Sequence, residues 1–184
     1  MSIKPRQPAD ILSELLVLQA QGGSDEALTQ LVGIWTPRLK ARALRLTRDS
    51  DGAKEVMQEA WIGIARGIRS LKDPAMFGAW SLRIVHHKAA DWIKLRIKHR
   101  TIESTLNETS REAEPPGQDN DSHIIREAIG HLDRKLQDVV YLFYMDNGTI
   151  EQIAVALDIP TGTAKTRLAR ARKQLKHLLE RSTQ

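Results

Sequence analysis

Apolar residues return every three or four positions through most of this chain, a rhythm that predicts helices rather than strands. From Asp10 the pattern is helical, with Ile11, Leu12, Leu15, Leu16 and Leu18 as the apolar stripe of a first helix. Gly22-Gly23-Ser24 breaks it. Ser24 or Asp25 then caps a second helix carrying Ala27, Leu28, Leu31, Val32 and Trp35. Pro37 marks a bend or restart, and Leu39, Ala43, Leu44 and Leu46 continue the stripe. Asp49-Ser50-Asp51-Gly52 reads as a turn. The clearest amphipathic helix follows, with Val56, Met57, Ala60, Trp61, Ile64, Ala65 and Ile68 inward and Glu55, Gln58, Glu59 and Arg66 outward. Ser70 to Phe77 reads as a loop. A further helix runs from about Ala75 or Gly78 to Lys98 on Ile84, Val85, Ala89, Trp92 and Ile93.

The pattern then stops. Glu103 to Ser122 holds six acids, one base and the run Pro115-Pro116-Gly117, with Leu106 and Ala113 as its only apolar residues. Such a stretch buries too little surface to offset its ordering entropy, so it predicts a flexible acidic linker at 101–122 between domains at 10–100 and 123–181. Beyond it, Ile124, Ile125, Ala128, Ile129 and Leu132 make one stripe, and Leu136, Val139, Val140 and Phe143 the next. Asp146-Asn147-Gly148 closes that helix, with Gly148 suited to a left-handed position. Thr149 and Gln152 form a capping-box pair for a short helix through Leu157. Asp158-Ile159-Pro160 is a tight turn, and a final helix starts at Thr161 or Thr163 and runs to about Glu180. The fold class expected is all-α: two helical domains joined by a flexible linker.

Composition narrows the chemistry. The 184 residues carry a formal charge of +5, a modest excess that suggests a polyanionic partner. There are no cysteines, which removes disulfide frameworks, thiolate metal sites and cysteine nucleophiles. The first ten residues have no apolar core of a secretory signal, and the longest apolar run, Val139 to Met145, is far too short to cross a bilayer. A cytoplasmic protein without membrane insertion is expected.

Two stretches carry candidate chemistry. Thr149 to Leu157, a three-residue turn and a long basic helix together match a helix-turn-helix. Ile153, Leu157, Ile159 and Leu168 can form its small core, and Ala154 lets its helices approach. From Thr161 onward there are seven Lys or Arg against one acid, Glu180. A solvated basic helix is the plain alternative, but the capped helix and turn before it favour duplex DNA binding. In the second stretch, Trp80 to Arg100, six Lys or Arg stand against the single acid Asp91, beside Phe77, Trp80 and Trp92. Cations next to aromatics suit single-stranded nucleic acid, where rings stack on bases. Trp92 and Trp61 fall at core spacing; Phe77 and Trp80 are the more open rings. His86, His87 and Asp91 could in principle hold a metal, but the two histidines point in different directions and no third ligand joins them. No nucleophile elbow, phosphate-cradling glycine loop or paired-carboxylate signature is present, so no cofactor, no metal and no enzyme activity are expected.

These residues resemble a known family. Ala53-Lys54-Glu55-Val56-Met57-Gln58-Glu59-Ala60-Trp61 is similar to the helix through which extracytoplasmic-function (ECF) sigma factors of the sigma-70 family bind core RNA polymerase. The run from Phe77 to Asp91 is similar to the segment that melts and reads the downstream promoter element. Ile153-Ala154, Ile159 to Leu168 and Arg170-Ala171-Arg172 are similar to that family's upstream-element helix-turn-helix. The three in this order cover residues 10–100 and 122–180.

The resemblance implies a region 2-like helical bundle and a region 4-like helix-turn-helix in a factor that binds core polymerase, directs it to specific promoters and promotes strand opening. Glu55, Gln58 and Glu59 would face the beta-prime clamp helices, and the second domain the beta flap. The Ser70 to Phe77 loop with Phe77, Trp80, Arg83, His87 and Lys88 would hold the melted strand. Thr163, Lys165, Thr166, Arg167, Arg170, Arg172 and Lys173 would contact the double-stranded upstream element. An anti-sigma factor would mask both faces. Four positions depart from the family habit: His87 for Asn, Lys54 for an acid, Ala164 for Val and Asp158 for Gly. Rival readings are a dimeric helix-turn-helix repressor, a nucleic-acid enzyme built on His86, His87 and Asp91, and a sigma mimic that titrates a regulator.

Overall fold

The computed structural model describes residues 8–103, 125 and 127–182, and the chain divides into two compact units, 1–113 and 114–184. Every regular element among the described residues is helical. The predicted acidic linker lies outside the described residues except for 101–103, which close a helix.

The first unit comprises α1 (Pro8–Gln21), α2 (Asp25–Thr47), α3 (Ser50–Gly67), two short 3-10 turns (Ile68–Ser70 and Pro74–Met76) and α4 (Phe77–Glu103). Helices α2, α3 and α4 pack on one another, while α1 lies on α2 and against the 3-10 turns. Capping sets the boundaries. The Ser24 hydroxyl accepts from the backbone N–H of Ala27, and the Asp49 carboxylate accepts from that of Gly52 at 2.8 Å, each satisfying a donor that the first helical turn leaves without a carbonyl. The core is the inner face of each helix: Leu31, Leu39 and Ala43 from α2, Val56, Ala60 and Ile64 from α3, Phe77, Leu82, Val85 and Ala89 from α4.

Four expectations change here. The stripe assigned to α1 is its outer face: Ile11, Leu12, Leu15 and Leu18 are exposed, and the helix packs through Ser13, Leu16, Val17 and Ala20. Helix α1 is apolar on nearly all sides, so period alone could not choose between the faces. Ser13 looked polar because its hydroxyl serves the core, accepting from Trp35 Nε1 at 3.1 Å. The run Asp49 to Gly52 is not a free turn but the cap and first turn of α3. Gly52 has to be glycine, since a Cβ there would sit 2.3 Å from the Trp92 ring. Helix α2 passes through Pro37 without interruption. Helix α4 runs on to Glu103, beyond the expected end at Lys98.

In the second unit, residues 127–130 are helical and are followed by α5 (Arg134–Val140), which widens into a π turn over Tyr141–Met145. Helices α6 (Ile150–Leu157) and α7 (Thr161–Ser182) complete it. Ile129, Leu132, Leu136, Val140 and Ala171 form one core cluster, with Tyr141, Leu175 and Leu178 packed against it. Ile153, Ala156, Ala164 and Leu168 are buried where α6 meets α7. The left-handed residue after the π turn is Asn147 at φ 53°, not Gly148 as expected. Gly148 is needed for close approach instead: its N–H reaches Leu142 O at 2.8 Å, and a Cβ would crowd that same oxygen.

Candidate nucleic-acid and polymerase interfaces

Burying Val56, Met57, Ala60 and Ile64 leaves Glu55, Gln58 and Glu59 on the exposed side of α3. This acidic face is tied to α4. Glu55 accepts from Trp92 Nε1 at 2.9 Å, and Glu59 pairs with Lys88 at 3.2 Å. Lys54 turns away from that face and bonds Asp51 at 2.8 Å, which raises its pKa. Lower on α4, Arg96 reaches Asp49 at 2.8 Å while its guanidinium lies 4.9 Å above the Trp92 ring. The Asp49 carboxyl is held below its ordinary range by the Gly52 N–H first, and by the nearby Arg96 charge after that; partial burial opposes both. Trp92 is thus half-buried and polar-tethered at the α3–α4 seam, close to its expected core role. Trp61 is tethered similarly, to Thr36.

The residues expected to meet a single strand separate into two groups. Trp80, Arg83 and His87 are spaced i, i+3 and i+7 on α4, which places them along one face away from Leu82, Val85 and Ala89. Phe77 does not join them. It is 1% exposed and meets Trp35 edge-to-face, with ring centroids 5.6 Å apart. Its ring has no free side to offer a base, so the expectation of direct contact is corrected: Phe77 is a wall of the core against which Trp80 rests at 6.1 Å. Lys88 lies on the flank of this face, already paired with Glu59.

His86 also has a task that the sequence did not reveal. Arg42 is 2% exposed, and its Nε donates to His86 Nε2 at 2.9 Å with Nη2 at 2.6 Å. The ring nitrogen that a metal would need faces a cation. Among the described residues no three His, Asp or Glu side chains gather to hold a metal ion. Arg42 was missed because it is charged, yet it falls in phase with Leu39, Ala43 and Leu46, and that spacing was the available signal.

In the second unit the capping box forms as read, with Thr149 and Gln152 each bonding the other's backbone. Asp158 sits at φ 54° in the left-handed region, which explains why glycine is the usual residue there. The chain re-enters a helix after Pro160, whose carbonyl accepts from Thr163 and Ala164. Burial of Ala164, Leu168 and Ala171 turns Thr166, Arg170 and Lys173 to the opposite side of α7, with Lys165 on one flank and Thr163 and Arg167, both half-buried, on the other. Arg172 is corrected. Its Nε donates to Tyr144 Oη at 3.0 Å and its guanidinium stacks 5.0 Å from the Phe143 ring, so it fastens α7 to the π turn rather than standing ready for a phosphate.

Comparison with known proteins agrees with this division. Residues 31–97 match the family model described as Sigma-70 region 2, and residues 122–175 match Sigma-70, region 4. A probable RNA polymerase sigma factor, RfaY, of Xanthomonas campestris is 25% identical, over 94% of this chain and 46% of its own length. The ECF RNA polymerase sigma-E factor of Haemophilus influenzae is 24% identical over 92% of this chain and 96% of its own. The chain therefore spans about half of the first relative and nearly all of the second. Among solved structures, CnrH in complex with the cytosolic domain of CnrY is similar with a TM-score of 0.63 and 21% identity, covering 92% of this chain and 97% of that one. RpoE in complex with the anti-sigma factor NepR from Bartonella quintana has a TM-score of 0.66 and 21% identity, covering 83% and 96%. These structures share the fold.

Proposed function

We propose that this chain, which belongs to the sigma-70 family of RNA polymerase sigma factors as an ECF type and directs RNA polymerase to promoters for transcription initiation, works through three surfaces. Glu55, Gln58 and Glu59 dock on the beta-prime clamp helices. Trp80, Arg83 and His87, with the loop before α4, hold the melted strand. Thr166, Arg170 and Lys173, flanked by Thr163, Lys165 and Arg167, read the upstream duplex, while the rest of the second domain meets the beta flap. The observation that carries this reading is the outer face of α7, where cations and a threonine stand opposite the buried Ala164, Leu168 and Ala171 of a capped helix-turn-helix.

A sigma factor is not an enzyme, and strand opening needs no catalytic group. An unstacked base held better than a paired one shifts the duplex toward the open state by that difference. His87 stands where the family usually has Asn, and it brings a ring nitrogen to the base-contacting face, so base preference there departs from the common pattern. No cofactor is required. The fold relatives were solved with CnrY and NepR bound, which supports an anti-sigma partner for this chain too, acting in the cytoplasm with the polymerase.

The test is transcription in vitro with purified core polymerase on fragmented genomic DNA. Defined start sites that appear only when the protein is added establish the reading, and their alignment yields the two promoter elements. Absence of binding to core polymerase and to single-stranded promoter DNA sinks it and returns the repressor reading.

A further inference from the structure

Helix α1 ends at Gln21, and the chain turns through Gly22 and Gly23 into the cap of α2. The Gln21 carboxamide does not serve this local turn. Its Nε2 donates to Ile68 O at 2.9 Å and to Leu71 O at 2.7 Å, carbonyls 47 and 50 residues away. These two carbonyls bracket the exit of the 3-10 turn that leads from α3 into the segment before α4. Ile68 O also accepts from Leu71 N–H, and Leu71 is the first extended residue after the turn.

The far end of that segment supports itself. Asp73 caps Ala75 N–H at 3.0 Å, and Pro74 fixes the next backbone angle. The near end has no such device of its own. Arg69, Ser70, Lys72 and Asp73 are exposed and Leu71 is only half-buried, so apolar packing beyond Ile68 does little to choose a conformation. A side chain with two N–H groups, delivered from α1, holds it instead. Glutamine suits the position because an amide can donate twice to carbonyl oxygens, whereas a carboxylate of the same shape can only accept.

We infer that Gln21 is a positioning residue for promoter opening: it holds the entry of the segment 68–73 in one shape, so that the strand meets a formed surface rather than one that must be ordered on binding. The inference rests on the proposed role of this loop and α4 in holding the melted strand. Gln21 itself touches no nucleic acid.

The experiment uses the full chain assembled with core polymerase and two DNA probes: a promoter duplex, and the same promoter with an unpaired bubble over the downstream element. Gln21→Glu removes the donors with little change of shape; Gln21→Met does so without adding charge and serves if the first variant folds poorly. The expected result is a loss of bubble affinity of roughly tenfold, the order that two hydrogen bonds support. Core binding, duplex binding and thermal midpoint stay near wild type. A general structural role would lower all of these together, and that outcome overturns the inference. A parallel double variant, Arg69→Ala with Lys72→Ala, removes the loop's exposed cations and tests the underlying reading. If it weakens bubble binding while both Gln21 variants do not, the inference about Gln21 falls alone. If it leaves bubble binding unchanged, the loop is not where the strand is held and both fall.

Discussion

Helices α4 and α7 look alike as sequence, each rich in Lys and Arg with one acid, yet they handle charge in opposite ways. On α4, Lys88 pairs with Glu59, Arg96 with Asp49 and, more loosely, Lys94 with Asp91 at 3.9 Å. On α7, Lys165, Arg167, Arg170 and Lys173 make no ion pair among the described residues, and Lys176 pairs with Glu180 only near the C-terminal end. A cation already facing a carboxylate must exchange one anion for another when DNA arrives. A cation facing water and counterions releases those ions. Helix α7 is therefore built as an electrostatic reader of duplex phosphates. Helix α4 gains less from charge and depends on the rings and side chains along Trp80, Arg83 and His87.

The comparison breaks most sharply at Phe77. If it is core, Phe77→Ala destabilises the first unit by about 3–5 kcal/mol, measured by denaturant unfolding. Trp80→Ala, at a half-buried ring, costs much less stability and instead lowers bubble affinity. A stable Phe77→Ala protein with impaired strand binding would put that ring back on the surface. Next in size, Arg170→Ala and Lys173→Ala each weaken duplex binding, and the slope of log affinity against log salt drops by about 0.9 for each phosphate that is no longer neutralised. Lys88→Ala changes that slope less, because Glu59 already neutralises it; equal slopes would abolish the contrast. Asp158→Gly sharpens it by relieving the left-handed residue ahead of α7, and it raises the stability of the second unit by roughly 0.5–1 kcal/mol in thermal unfolding.

The smallest effect is one of pH. Asp49 titrates below its ordinary value in the folded protein, so its contribution is present above the aspartate range and is lost as pH falls below 3.8 through the lowered value. Asp49→Asn keeps a competent cap and removes the charge that faces Arg96. Unfolding followed from neutral to acidic pH should show wild type ahead at neutral pH and the gap closing in that acidic window. A gap that widens with acid would contradict the sign of the shift.

The helical fold was legible because helix starts and stops are local. Ser24 bonds Ala27, and Thr149 and Gln152 bond each other, within three residues. The outward faces of α3 and α7 were legible because one side of each helix is clearly apolar. The inward role of Phe77 was not, since an aromatic next to a predicted loop carries no mark of which side it faces. Its burial depends on Trp35, which sits two helices earlier in the chain. The engagement of Arg172 depends likewise on a π turn that widens the end of α5 and delivers Tyr144 to it.

Two glutamines divide what the sequence determined from what only the tertiary structure decided. Gln137 donates to the carbonyls of Leu132 and Gly130, five and seven residues away, within one stretch of chain. Gln21 makes the same pair of bonds to carbonyls that arrive only after α2 and α3 have folded back. Composition and periodicity settled that the chain is helical, where its helices are capped and which of them are basic, because those energies arise between near neighbours. Which face of α1 packs, which cations remain available to DNA and which loop a glutamine holds were decided by packing. Each of those choices depends on interactions between segments that the linear pattern leaves far apart.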